Sequence, residues 1–339
     1  MNFREVTNTL IISLALIFVL HSCDKNEEAN GNEGPNYDRL LVSDQENIIE
    51  LTKNLTYSLF SASNNYLCWY EAYTKKIYYQ DLSTGKIFEL PVRKGRGPNE
   101  VLMVMGLEII DNTMYIFDQN NRKIIPYDLS KKEFGRELLI GKNNITFITS
   151  SSGKLFGKGL TEEAILFEID VEGERIIPLS GSHNETVASD FIRNLHRFDG
   201  SFIANDDFIV TVRKFEPTMV RYNLSEGELT DFSYDETRVE TEYPTNAAGF
   251  STMLEVVNMA VYDAAFKPNS NSIFLVAKGY TTEIDTLKKN YLYEYNLDSD
   301  SYSKIIESNA TSIGRVTAND NHLFIYDDEK FTIEMFELN

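Results

Sequence analysis

The chain reads as an all-β protein, a six-bladed β-propeller whose ring is closed by an N-terminal strand. Three observations carry that reading. From about residue 40 onward apolar side chains alternate with period two far more often than 3.6, the repeat of a strand rather than a helix. A strand–turn–strand unit recurs along the body at tens of residues, which is the mark of a repeat architecture. The final unit stops one strand short at Asn339, so a strand within 48–55 is needed to complete it.

In chain order, the units run from 66–70 to 77–81, from 114–118 to 123–128, from 154–157 to 165–170, from 208–212 to 219–223, from 273–277 to 291–296, and from 322–327 to 331–337. A turn and a third strand follow every unit but the last. The closing positions are Asp81, Asp128, Asp170, Asn223, Asn296 and Glu337, spaced by 47, 42, 53, 73 and 41 residues. Propeller blades run roughly 40–50 residues, so the two long spacings imply insertions. An Asp or Asn at a strand end suits the turn that follows, because its side chain caps the turn amides. Closing the ring removes sheet edges that would otherwise pair with other chains. A β-sandwich or two-domain β protein is the competing architecture. Residues 252–261, with apolar side chains at 253, 254, 257, 260 and 261, read either as a short helix forming a lid or as an ordinary strand.

The N-terminus carries an address. Arg4 precedes a run from 10 to 20 in which every residue except Ser13 is apolar. Eleven residues are too few to span a bilayer, which takes about 20, but suit the core of a signal peptide. Leu20-His21-Ser22-Cys23 follows and resembles the lipobox of bacterial lipoproteins, with His21 in place of the usual small residue. The resemblance implies a signal peptide over 1–22 and acylation of Cys23. Acyl chains contribute about 0.8 kcal/mol per buried methylene, so two or three of them hold a soluble domain at a membrane. Residues 23–36 contain no aliphatic side chain larger than alanine. They cannot offset their ordering entropy and read as a flexible tether with a reach of roughly 20 Å. A lysine among acidic residues after the cysteine is similar to the surface-export signal of Bacteroidetes lipoproteins. Residues 37–339 form the propeller.

Removing the first 22 residues leaves 317, ample for a large core. The formal net charge of −20 argues against nucleic acid as a partner, since that binding needs a basic surface to displace counterions. Cations, basic partners and neutral glycans remain open. Cys23 and Cys68 are the only cysteines. With Cys23 acylated, no disulfide forms within the chain, and Cys68, alternating with Tyr66 and Tyr70, reads as a small core residue.

Lys94-Gly95-Arg96-Gly97-Pro98-Asn99-Glu100 stands between units one and two. Together with the lipobox and the strand repeats it resembles the six-bladed β-propeller lipoproteins of Bacteroidetes, including their TolB-like relatives. Their Gly-x-Gly-Pro-x-Glu signature is matched by Gly95, Gly97, Pro98 and Glu100, whereas Val101 stands where an aromatic residue often follows. The resemblance implies the fold and an envelope location, with no set reaction. The glycines permit a sharp turn and close backbone approach, and Pro98 fixes the exit. Arg96 and Glu100 then either clamp the loop or face the propeller mouth as candidate ligand-binding residues.

No catalytic residue is singled out, and no cofactor or metal is expected. The chain lacks a Walker lysine-serine pair, a Gly-x-Ser-x-Gly elbow and a His-Glu-x-x-His pair. His183, His196 and His322 are dispersed. Asn296, Asp298, Asp300 and Glu307 imitate a calcium-loop spacing, but Ser301 and Lys304 occupy its glycine and ninth positions. Asp206, Asp207, Asp327, Asp328 and Glu329 read as turn residues.

The expected function is a binding or interaction module on the outer membrane, exposed at the surface, taking a peptide, a glycan or an envelope protein. The alternative is an envelope hydrolase or lyase acting on glycans at the propeller mouth. A structural part of a larger envelope assembly is a third reading. Convergence of Arg96, Glu100, His196, Arg197 and Arg213 in one pocket would favour chemistry.

Overall fold

In a computed structural model, the described residues are 39–41, 47–51, 59–141, 143–159, 164–179, 200–214, 218–233, 261–278, 290–307, 313–327 and 329–338. The signal segment 1–22, the tether 23–36 with Cys23, and residues 252–260 lie outside them. So do 180–199, 234–260 and 279–289, into which the surplus of the two long spacings falls. Among the described residues there is no helix, and hence none long and apolar enough to cross a membrane.

Strands β1 (Arg39–Leu41) and β2 (Asn47–Glu50) precede the blades. Blade one is β3 (Phe60–Ala62), β4 (Tyr66–Glu71), β5 (Lys76–Asp81) and β6 (Lys86–Glu89). The short β7 (Arg93–Lys94) and β8 (Glu100–Val101) pair in parallel in the crossover to the next blade. Blade two is β9 (Val104–Ile110), β10 (Thr113–Asp118) and β11 (Lys123–Asp128), with β12 (Glu133–Phe134) and β13 (Leu138–Leu139) both on the outer edge of β11. Blade three is β14 (Ile145–Ser151), β15 (Lys154–Gly159), β16 (Leu166–Asp170) and β17 (Arg175–Pro178). Blade four is β18 (Gly200–Ala204), β19 (Phe208–Arg213), β20 (Thr218–Asn223) and β21 (Leu229–Ser233). Blade five is β22 (Val261–Phe266), β23 (Ser272–Lys278), β24 (Asn290–Asn296) and β25 (Ser301–Glu307). Blade six holds β26 (Ile313–Ala318), β27 (His322–Asp327) and β28 (Thr332–Glu337). Consecutive strands of a blade pair antiparallel.

The first strand of each blade packs on the first strand of the next, right round: β3 on β9, β9 on β14, β14 on β18, β18 on β22, β22 on β26, and β26 back on β3. The six sheets therefore form a ring with these strands innermost. Blade six is completed by β2, antiparallel to β28 with Ile48 opposite Glu334 and Ile49 opposite Ile333. The N-terminal closing strand expected within 48–55 is thus present, over 47–50. A second N-terminal strand goes beyond that reading: β1 pairs in parallel with β25 and gives blade five a fifth strand.

A blade is sandwiched between two others, so its middle strands are buried on both faces and read as near-continuous apolar runs. In β10, Met114, Ile116, Phe117 and Asp118 are all fully buried. The core divides into six clusters, one per junction. Tyr79 and Tyr127 belong to the cluster between blades one and two, Phe117 and Phe167 to the next, then Phe156 and Val220, Val212 and Leu275, and Val276 and Ile325. The sixth, with Ile49, Trp69, Phe324 and Ile333, joins blade six to blade one. At roughly 1.5–3 kcal/mol for each large side chain fully buried, every junction is a sizeable contact in its own right.

The six closing residues read from the sequence all end the third strand of a blade. The recurring unit is therefore strands two to four, and the innermost strand of each blade escaped it. Capping is as expected. The Asp81 carboxylate accepts from Ser83 N and Thr84 N (2.9 and 3.2 Å), Asp128 from Ser130 N and Lys131 N, and Asp170 from Gly173 N. Asn223 and Asn296 do the same with their side-chain oxygens. Four residues further on, Gly85, Lys132, Glu174, Gly227 and Asp300 all take the left-handed conformation, with φ between 48 and 71°. One turn geometry recurs in five blades, although only two of the five residues are glycine.

Candidate binding face and channel

Each blade has two ends. One carries the hairpins between second and third strands and the crossovers between blades, and we term it the crossover face. The other carries the capped turns just described.

The segment 94–100 lies on the crossover face at the junction of blades one and two. Glu100 turns back on its own loop, its Oε2 accepting from Gly97 N at 2.8 Å. A β-carbon at Gly95 would overlap that carboxylate, and one at Gly97 would stand 3.0 Å from it. Both glycines are there for close approach. Asn99 adopts φ 57°, and its amide donates to Glu137 Oε1 at 2.5 Å. The buried Lys123 ammonium bridges Glu137 Oε1 (2.7 Å) and Gly97 O (2.9 Å). Asn121 Nδ2 donates to Gly95 O at 2.9 Å and to Asp118 Oδ2 at 2.7 Å. Asp118, fully buried, also accepts from the amides of Leu102, Met103, Asn120 and Asn121 at 2.7–3.2 Å. The loop is thus fixed from beneath by blade two. Arg96 projects outward and is exposed, with no hydrogen bond or ion pair to the described residues. Of the two candidate ligand-binding residues, Glu100 holds the loop together and Arg96 is presented by it.

Polar side chains on the inner strands and their turns tie every junction of the ring. Asn319 Nδ2 donates to Ser63 O at 2.8 Å across the closure of blade six on blade one, and Asn65 and Asn112 link blades one and two. Ser150 Oγ donates to Glu108 Oε2 at 2.8 Å between blades two and three. Ser151 Oγ donates to Asp206 at 3.2 Å between three and four, and Asn205 meets Asn271 at 3.2 Å between four and five. Asp263 reaches both ways. It accepts from Ser201 Oγ of blade four at 3.0 Å and from Val316 N of blade six at 3.0 Å, with Arg315 Nη1 at 3.4 Å. Burial pushes the Glu108 carboxyl up to about 8, against the pull of hydrogen bonds from Ser150 and Ser61. The signal for Glu108 in the sequence is slight, a lone glutamate inside Leu107-Glu108-Ile109-Ile110.

The remaining candidates separate. Cys68 is fully buried in the first junction core, and burial, with Glu108 nearby, raises its thiol well above the usual range. A thiol so held stays protonated and unreactive. Arg213 is buried in blade four, donating to Thr218 Oγ1 (2.7 Å) and Asp231 Oδ2 (2.9 Å). The structure places it in a different blade from Arg96 and Glu100. His183, His196, Arg197 and Asp328 lie outside the described residues. His322 opens β27 beside Phe324, the rings 6.0 Å apart. Asn296 serves its turn, while Glu307 ends β25 opposite Leu41. Among the described residues, no group of three or more His, Cys, Asp and Glu is placed to hold a metal ion.

No family model matches the chain, and no curated protein matches it. Among solved structures, the chain is similar to one in the crystal structure of the mitotic checkpoint complex. The TM-score is 0.55 and the identity 10%, with 94% of this chain and 99% of that chain covered. Weaker likenesses reach U3-55K (TM-score 0.48, 10% identity, 83% and 80% covered) and the WD40 repeats of RRP9 (0.47, 10%, 83% and 79%). At such identities the likeness concerns the fold alone, an all-β propeller.

Proposed function

We propose that this chain is a binding module of the cell envelope, held on the outer membrane through acylated Cys23 and presenting the crossover face of its propeller to a peptide, glycan or envelope protein. The observation that carries the binding role is the loop over 94–100. Its backbone is fixed by Glu100, Asn121, Lys123 and Glu137, while Arg96 points to solvent. A site built in advance loses little entropy when a partner docks. The anchor rests on the Leu20-His21-Ser22-Cys23 motif and the apolar run before it.

Both halves are open to test. Cells fed radiolabelled palmitate are expected to label the wild-type chain in the membrane fraction, and Cys23→Ser to abolish label and membrane retention together. Glycan and peptide arrays probed with the detergent-solubilised full chain are expected to show saturable retention without product. Release of product from a retained glycan would instead favour an envelope hydrolase or lyase. One observation speaks for that second reading. Glu108, carried up to about 8, is protonated near neutrality, the state a general acid needs. Glu108→Gln would then abolish turnover.

A further inference from the structure

We infer that the crossover face at blades one and two is a docking site for a short acidic peptide segment that also carries apolar side chains. The inference rests on the binding-module reading and names the class of partner. Its first ground is charge. The chain is strongly acidic at −20, yet Arg93, Lys94, Arg96 and Arg122 stand exposed on this face without an ion pair to any described residue. They are brought together by the fold. The loop carrying Arg93, Lys94 and Arg96 is bonded through Gly95 O to Asn121, the neighbour of Arg122. The carboxylates of the same region are already engaged: Glu100 with Gly97 N, Glu137 with Lys123 and Asn99 N, and Asp118 with four amides and Asn121. The surface left over is cationic.

The second ground is apolar exposure on the same face. Tyr73, in the β4–β5 hairpin, is 73% exposed, and Leu139, paired with Lys123 at the end of blade two, is 70% exposed. Met103, whose amide donates to Asp118, is also exposed. Guanidinium groups take carboxylates in bidentate pairs, and the flanking apolar side chains give an amphipathic segment something to cover.

Size selects against a long polyanion. The stretch from Arg93 to Arg96 spans at most about 14 Å even when fully extended. Screening confines its field to about 8 Å at physiological ionic strength. Beyond that reach the acidic remainder of the chain repels an extended anionic polymer, whereas a segment of a few carboxylates fits within the patch.

The test uses fluorescence anisotropy of the full-length protein in neutral detergent, with a fluorescein-labelled twelve-residue peptide alternating Glu with Leu and Phe. Saturable binding is expected, weakened tenfold or more by R93S/R96S/R122S. It should change less than twofold in K86S/K131S, which removes two cations from the opposite face. A peptide with Gln for Glu is expected to bind at least tenfold more weakly, and Tyr73→Ser to weaken the parent peptide threefold or more. Should the triple variant fail to fold, the Gln peptide and Tyr73→Ser still decide. Unchanged affinity with R93S/R96S/R122S, with the Gln peptide or with Tyr73→Ser, no binding of the parent peptide, or tighter binding of dextran sulfate would overturn the inference. Retention of other peptides or glycans on the arrays, with this peptide unbound, removes only the inference. Arrays that retain nothing remove the module reading as well.

Discussion

Asn223 and Glu108 show how differently a polar side chain can act in this fold. Asn223 Oδ1 accepts from Ser225 N, Ser225 Oγ and Glu226 N at 2.8–3.1 Å. Asn223→Ala leaves those donors to water and is expected to cost about 1 kcal/mol in denaturant melts. Asn223→Asp should keep most of that. Glu108 works in the opposite sense. Its folded value of about 8 lies above its ordinary 4.5, so the folded state binds the proton more tightly than the unfolded one. Its contribution is fully present below about 4.5 and is lost as pH rises toward 8, at up to about 1.4 kcal/mol per pH unit. Thermal melts across that window should show the wild type losing stability relative to Glu108→Gln. The variant should be the more stable above pH 8. A parallel pair of curves would mean that the carboxyl stays hydrated in the folded protein.

At the scale of strands and turns, what the sequence revealed followed burial. Strands such as β10 and β27, covered by neighbours on both faces, announce themselves as aromatic and branched runs. Their partners end in a marker residue, whose side chain caps the turn that follows at 81, 128, 170, 223 and 296, so the repeat is readable there, and at 337 through the strand pattern alone. Inner strands such as β3 and β18 mix serines such as Ser61 and Ser201 with apolar residues, and this mixture has no clear period. The links between blades were harder still. Asp206 reads correctly as a turn residue, but its bond to Ser151 of another blade joins residues 55 positions apart, which local pattern cannot anticipate. The loop at 94–100 was legible as a turn from its glycines, whereas Lys123 and Glu137, which fix it, sit in a different blade. Aromatic residues, too, do their work between blades. Tyr79 stacks on Phe88 with centroids 5.1 Å apart and meets Tyr127 at 6.5 Å, while Lys132 Nζ lies 4.1 Å above the Phe88 ring. Tyr79→Ala removes the centre of this group and is expected to cost about 3–5 kcal/mol in denaturant melts.

For the whole molecule, the division of the core into six junctions means that no blade is stable by virtue of its own interior. Each depends on two neighbours, and the dependence runs in a circle. Ile49 is where that circle is completed: it packs with Trp69 of blade one and pairs with Ile333 of blade six. Ile49→Asp places a carboxylate without a partner in that seam. It is expected to lower the melting temperature more than Ile48→Asp, because Ile48 is 54% exposed on the same strand.

The pairing of β2 with β28 also has a kinetic side. Ile49 and Ile333 are 284 positions apart, and bringing such distant points together costs about 5 kcal/mol in chain entropy before any contact repays it. Contacts this remote in sequence slow folding. The zipping of 47–50 onto 332–337 is therefore expected to be the last event of folding and the first of unfolding. Native-state hydrogen exchange should find the amides of β2 and β28 opening well before those of β10 and β11. Since β2 precedes all six blades and β28 belongs to the sixth, a nascent chain holds its closing edge unpaired until every blade has been made.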